Sequence, residues 1–136
     1  MISWLIVLGY GASFVAQGSP ADMAGLARII EEGLRFPGFA FINVQSPCVT
    51  YGEEEQQLKA QKARIQNLEA IGHDPANWAQ AAERAREYGT QLYTGILYRN
   101  PNPPPTYGQG VAERHQALKA QAVPRLEILN RFRPSN

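Results

Sequence analysis

The chain has 136 residues, 44% of them hydrophobic and 18% charged, and a formal net charge of +1. That balance excludes a disordered polyelectrolyte tail and supplies apolar material for one core rather than two. It also speaks against a dedicated nucleic-acid binder, although residues 1–57 carry a net −4 and residues 58–136 a net +5.

The first apolar run is Trp4-Leu5-Ile6-Val7-Leu8. No Lys or Arg precedes it, Gly9 and Gly11 interrupt it, and the first basic residue is Arg28. It therefore reads as a buried segment of an intracellular domain rather than a secretory signal. No apolar run approaches the roughly 18 residues of a membrane span. Ser13-Phe14-Val15-Ala16 follows as a short strand. Ser19 then reads as a helix N-cap, with Pro20 at the first helical position and Asp22 in the first turn. Met23, Leu26, Ile29, Ile30 and Leu34 recur at helical spacing, and Pro37-Gly38 ends the helix. Phe39-Ala40-Phe41-Ile42-Asn43-Val44 is the continuous apolar run of a strand buried on both faces. Strand, helix and strand form a right-handed βαβ unit over residues 1–52.

Residues 53–71 read as a polar helix with a sparse stripe at Leu58, Ile65, Leu68 and Ile71. Gly72-His73 breaks it. Asp74-Pro75 restarts a helix as N-cap and proline, with Trp78, Ala82, Ala85 and Tyr88 on one face. Residues 90–98 are a strand or extended segment. Residues 100–110, with four prolines and two glycines, are a surface crossing. Helices over 111–122 and 124–132 complete a mostly helical extension, residues 53–136.

Four groups of residues bear on chemistry. Gly9-Tyr10-Gly11 after an apolar run imitates a dinucleotide fingerprint, but Phe14 stands where the third glycine belongs, and the following residues favour a strand. Glycines in a tight helix-to-strand turn explain the segment better. His73-Asp74 could be a base and its orienting carboxylate, yet a helix C-terminal imidazole and a helix cap account for both. His115 and the run Glu53-Glu54-Glu55 read as solvated helix positions, because consecutive helical residues do not converge on a metal. The basic residues Arg99, Arg114, Lys119, Arg125, Arg131 and Arg133 suggest a docking face or solubility, with no aromatic–basic interleaving for nucleic acid.

Cys48 is the one cysteine, so no internal disulfide forms. It lies in Gln45-Ser46-Pro47-Cys48-Val49-Thr50, directly after the carboxyl end of a buried strand, where open α/β sheets place ligands. A small buried hydrophobe is the common role of such a residue. Its strand-end position, the preceding proline and its being the only soft thiolate ligand in the chain set it apart from that role. Neither histidine is placed to activate it as a nucleophile, and no catalytic residue is assigned.

Gly11-Ala12-Ser13-Phe14-Val15-Ala16, the Phe39–Thr50 stretch ending Ser-Pro-Cys-Val-Thr, Gly72-His73-Asp74-Pro75 with Trp78, and Thr94-Gly95-Ile96-Leu97-Tyr98 occur in this order. Together they resemble the C-terminal half of the β subunit of 2-oxoacid:ferredoxin oxidoreductases. The resemblance implies an α/β fold: part of a thiamine-diphosphate-binding fold, a short mainly parallel sheet with helices and a helical C-terminal extension. It implies an enzyme that decarboxylates a 2-oxoacid oxidatively, reduces ferredoxin and releases an acyl-coenzyme A. In such β subunits the cysteine at the position of Cys48 supplies one ligand of a [4Fe–4S] cluster. The implied parent cofactors are thiamine diphosphate, Mg²⁺ and [4Fe–4S]. The implied partners are an α subunit, the N-terminal part of the β subunit, and ferredoxin for the assembled enzyme. The implied compartment is the cytoplasm, with no membrane and no nucleic acid.

The departure from the pattern is the absence of any Gly-Asp-Gly segment, which in the family holds magnesium and diphosphate. The expectation is therefore a single C-terminal portion over residues 1–136 that binds no cofactor alone and is inactive alone. Two alternatives stand beside it: a non-catalytic interaction module docking on a partner subunit, and a small nucleotide-binding protein using Gly9 and Gly11.

Overall fold

Five consecutive buried residues, Phe14–Gly18, form strand β1 of the computed structural model. The structure describes residues 3–48, 50, 52–87, 91–120, 127–128 and 131–132. They belong to two compact units, Met1–Pro104 and Pro105–Asn136.

In the first unit the chain runs through α1 (Ser3–Gly9), β1, a 3₁₀ turn (Pro20–Asp22), α2 (Met23–Arg35) and β2 (Ala40–Val44). It continues through α3 (Glu54–Arg64), β3 (Ile65–Asn67), α4 (Trp78–Arg86) and β4 (Leu92–Arg99). The sheet order is β2-β1-β4-β3. The β1–β2 and β3–β4 pairs are parallel, and β1–β4 is antiparallel with a bulge at Val15/Ala16. The expected α/β class with a short, mainly parallel sheet is the one observed.

Side chains alternate across β1, so each face of the sheet has its own core. Val15 joins Leu8, Ala12, Leu68, Ala85 and Leu97 under α1 and α4. Phe14 and Ala16 join Leu26, Ile29 and Phe36 under α2. Gly33 lets α2 sit close to the sheet: a Cβ there would lie 2.7 Å from Ile42 Cδ1.

The turn between α1 and β1 is the helix-to-strand glycine turn expected. Tyr10 and Ala12 donate backbone N–H bonds to Ile6 and Val7 carbonyls, and Gly11 takes φ +82°. Around α2 the caps differ in detail from expectation. Ser19 Oγ accepts from Ala21 N at 3.1 Å and so caps the 3₁₀ turn, while Asp22 Oδ1 accepts from Gly25 N at 3.0 Å and caps α2 itself. Of the five apolar positions expected to face the core, Leu26 and Ile29 are buried. Met23, Ile30 and Leu34 are exposed.

The expected helix over 53–71 ends at Arg64. Ile65-Gln66-Asn67 pairs with Leu92-Tyr93-Thr94 instead, and Asn67 Oδ1 accepts from the N–H groups of Glu69 and Ala70 in the following turn. Leu68 is then buried beside Gly95, whose φ is +111°. The helix after Gly72 also starts later than expected. Asp74 Oδ1 accepts from Ala76 N in a turn, and Asn77, accepting from Gln80 N at 3.1 Å, is the cap of α4. Trp78 is 50% exposed, because the buried face of α4 is Ala81, Ala82 and Ala85. The expected contribution of Tyr88 lies outside the described residues. In the second unit α5 spans Tyr107–Ala120, starting before the expected Val111. Of the helix expected over 124–132, residues 124–126, 129 and 130 lie outside the described residues; 127, 128 and 131 are helical.

Candidate functional site

β1 and β2 run parallel, and their carboxyl ends carry an array of amides. Gln17, buried at the end of β1, donates from Nε2 to the Tyr93 carbonyl at 2.7 Å. Its Oε1 accepts from Asn43 Nδ2 at 2.7 Å and from Gln45 Nε2 at 3.5 Å. The side-chain amides thus add to the backbone ladder in tying the ends of β1, β2 and β4 together.

α3 lies over this end although it buries no residue of its own. Two glutamines one turn apart make its connections. Gln61 Oε1 accepts from the fully buried Ser19 Oγ at 2.7 Å. Gln57 pairs with the backbone of Cys48: Oε1 accepts from Cys48 N at 2.9 Å, and Nε2 donates to Cys48 O at 3.0 Å. Gly52 makes room for that amide, since a Cβ there would sit 2.6 Å from Gln57 Nε2. Cys48 itself is a free, exposed thiol. Its main chain is held at both polar atoms while its sulfur stays accessible, unlike the buried role common for a lone cysteine. Among the described residues no group of three or more His, Cys, Asp or Glu side chains converges as a metal site, and Cys48 is the one thiol this chain offers.

The other candidates resolve into structural roles. Gly9 and Gly11 lie at the carboxyl end of α1, with N–H groups of the turn already bonded to helix carbonyls. A phosphate cradle needs the opposite end of a helix, where N–H groups are free and the dipole is positive. The nucleotide reading through these glycines therefore lacks its anion site. His73 is buried and its Nε2–H donates to the Leu97 carbonyl at 2.7 Å, which ties the loop to β4. Asp74 turns to Ala76 N rather than to the imidazole. His115 is exposed on α5, and Glu53, Glu54 and Glu55 are exposed at the start of α3, with Glu55 paired to Lys59.

Sequence reasoning did not find the cluster of Glu87, Tyr93 and Arg84. The buried Tyr93 hydroxyl donates to Glu87, and Arg84 Nη1 donates to both Glu87 oxygens at 2.9 and 3.1 Å. The guanidinium also lies 5.5 Å from the Tyr93 ring centre. The hydroxyl bond, then Arg84, holds the Glu87 carboxyl below the usual range. The same bond to Glu87, with burial, raises the phenol of Tyr93. Nothing in the spacing of these three residues signals the cluster, because they meet across a helix end and a strand. A cavity of about 280 Å³ lies between α2 and β4, bordered by Arg28, Glu32, Glu69 and His73, and it does not include Cys48.

The family of the C-terminal region of the pyruvate ferredoxin oxidoreductase beta subunit matches residues 48–116, starting at Cys48 itself. The chain is 29% identical to subunit beta of 2-oxoacid:ferredoxin oxidoreductase 1 of Aeropyrum pernix, over 93% of this chain and 42% of that protein. It is also 29% identical to a 2-oxoacid:ferredoxin oxidoreductase subunit beta of Saccharolobus solfataricus, over 80% of this chain and 38% of that one. A 2-oxoglutarate:ferredoxin oxidoreductase from Magnetococcus marinus, solved with 2-oxoglutarate, coenzyme A and succinyl-CoA bound, has a TM-score of 0.80 and 27% identity. That similarity covers 98% of this chain and 45% of the solved one. The chain thus spans less than half the length of these relatives.

Proposed function

Because this chain belongs to the family formed by the C-terminal regions of pyruvate ferredoxin oxidoreductase β subunits, we propose that it serves a 2-oxoacid:ferredoxin oxidoreductase. It is a C-terminal part of a β subunit. In this reading the assembled enzyme decarboxylates a 2-oxoacid oxidatively, forms an acyl-coenzyme A and passes electrons to ferredoxin. It works in the cytoplasm with an α subunit and the amino-terminal part of the β subunit. Among the described residues no helix is long and apolar enough to cross a membrane.

The observation that carries the reading is Cys48. Its thiol is exposed at the carboxyl end of a strand, its backbone is held by Gln57, and the family match begins at this residue. A thiolate suits iron–sulfur chemistry, and a [4Fe–4S] cluster supplies one-electron transfer when bound. Cys48 would hold one iron, and three further ligands must come from elsewhere. The role of this chain at that site is to present one sulfur from a fixed main chain.

Thiamine diphosphate and Mg²⁺ do not fit this chain by itself. Its two aspartates are Asp22 and Asp74, and each carboxylate accepts a local backbone N–H, one as the α2 cap and one in the turn before α4. A chain so arranged is inactive alone in this reading.

The test is Cys48→Ser in the assembled β subunit, read by iron content and by the low-temperature electron paramagnetic resonance spectrum after reduction. The expected result is loss of the cluster signal, or its conversion to a three-iron form, with the fold unchanged by circular dichroism. Unchanged iron and an unchanged spectrum would remove Cys48 from the site.

A further inference from the structure

α3 is a helix whose packing does not account for it. Its 11 residues bury no side chain, its N-cap Glu53 makes no side-chain cap bond, and a polar helix of this length is marginal on propensity alone. The Glu55–Lys59 pair is exposed at both ends and adds little. What α3 does carry is two glutamines at i and i+4, which share one face. Gln61 ties the helix to the sheet, accepting at 2.7 Å from the fully buried hydroxyl of Ser19 just after β1. Gln57 reaches Cys48, accepting from its N–H at 2.9 Å and donating to its carbonyl at 3.0 Å.

The form of the second contact is specific. Cys48 lies in the connection between β2 and α3, outside the paired strand residues, so a side chain supplies the restraint that a ladder would otherwise give. One planar carboxamide meets both polar atoms of one residue. It therefore fixes the direction in which the Cys48 side chain leaves the backbone, as well as the place of the residue. An ionised Glu of the same length cannot donate and a Lys cannot accept, so the pairing needs a glutamine. Gly52 belongs to the arrangement, because a Cβ there would stand 2.6 Å from Gln57 Nε2. These bonds engage the main chain and leave the thiol free and exposed.

We infer that Gln57 is a positioning residue for the cluster ligand: carried by α3 and anchored through Gln61, it fixes the Cys48 main chain and so keeps iron at that sulfur under oxidation. The inference rests on the reading of Cys48 given above. A thiolate on an unrestrained loop swings away when its iron bond breaks, and must be ordered again before the bond re-forms. A thiolate on a pinned main chain stays where the iron is. Groups behind a metal ligand that orient it change metal retention by about 10–100-fold, which sets the size of effect to look for.

The experiment has two arms. In the first, amide exchange of this full chain is followed by NMR, with no cluster required. Gln57→Leu is expected to speed exchange of the Cys48 N–H about fivefold, the worth of one hydrogen bond. In the second, the assembled β subunit is treated with ferricyanide, which takes one electron from each cluster. The ferrous ion at the Cys48 corner then leaves its thiolate, and the three-iron species is counted by electron paramagnetic resonance. Gln57→Leu is expected to speed this conversion about tenfold or more. Gly52→Ala, which crowds the amide without altering it, moves the rate in the same direction by less. Gln56→Leu, at the neighbouring glutamine that bonds Glu53 instead, converts at the parent rate. If Gln57→Leu shifts the melting curve, Gly52→Ala decides: acceleration supports the inference and the parent rate overturns it. Unchanged amide exchange removes the contact itself. Faster exchange with an unchanged conversion rate overturns the positioning role and leaves the Cys48 reading standing. Equal acceleration by Gln56→Leu assigns the effect to the α3 surface at large and also overturns it. A Cys48→Ser subunit that keeps its cluster and spectrum fails the reading of the site instead, a separate result from any of these.

Discussion

β1 and β2 are equal in length, parallel and paired residue for residue, yet all five residues of β1 are buried and none of β2 is. The difference does not lie in composition, since Ala-Phe-Ile-Asn-Val is as apolar as Phe-Val-Ala-Gln-Gly. It lies in neighbours. β1 has a strand on either side and helices above and below, whereas β2 has a strand on one side. A strand that reads as buried but is not buried marks where the packing of this chain stops.

The largest expected effect separates the two strands directly. Phe14→Ala removes a ring with 0% exposure that packs 5.3 Å from Phe36, and is expected to destabilise the fold by about 3–5 kcal/mol in urea unfolding. Phe39→Ala, one residue before β2, is expected to cost about 0.5 kcal/mol or less. Equal losses would show that the β2 side is packed as firmly as the centre. A smaller effect probes the contact between the two regions. Gly33→Ala places a Cβ 2.7 Å from Ile42 Cδ1, with overpacking of about 1–3 kcal/mol set against a helix-propensity gain of about 1 kcal/mol. A net loss of about 1 kcal/mol is expected, and a net gain would show that Ile42 swings aside and that β2 is the softer strand.

A further effect, comparable to that of Gly33→Ala, lies on the other face of the sheet. Tyr93→Phe leaves the ring and removes the bond to Glu87, with an expected loss of about 1 kcal/mol at neutral pH. The sign of the pH dependence follows from the shifts. Glu87 is held below its ordinary 4.5, so its contribution is present above that value and fades as pH falls through the lower folded one. Tyr93 is raised above its ordinary 10.0, so its contribution is present below 10.0 and fades as pH rises through the folded value. Thermal melts from pH 3 to 11 should therefore show the variant converging on the parent at both extremes.

The βαβ unit, the glycine turn after α1 and β4 were readable because punctuation and periodicity agreed there. Pro20 and the Pro37-Gly38 pair bracket one helix, and β-branched or aromatic residues bracket it with strands. β3 was not readable, because Leu58, Ile65, Leu68 and Ile71 fit a helix stripe as well as a helix followed by a strand. Only the long-range pairing of Ile65 with Leu92 decides between them. Periodicity also cannot say how wide the buried face of α2 is, since Met23, Ile30 and Leu34 lie within one helical stripe of Leu26 and Ile29. At the candidate site Cys48 stood out by type and position. Gln57 did not, because an amide on a polar helix carries no mark of the backbone it will hold. The Glu87–Tyr93 bond was hidden for the same reason.

The hydrogen bonds that hold the strand ends and the Cys48 main chain come from Gln17, Asn43, Gln45, Gln57, Gln61 and Ser19. None of these side chains ionises between pH 2 and 12, and bonds between neutral dipoles escape the screening that weakens exposed ion pairs in salt. The frame around the sulfur is consequently built from parts blind to acidity and ionic strength. A charge arriving or departing beside Cys48 therefore meets no titrating group among the bonds that hold its main chain.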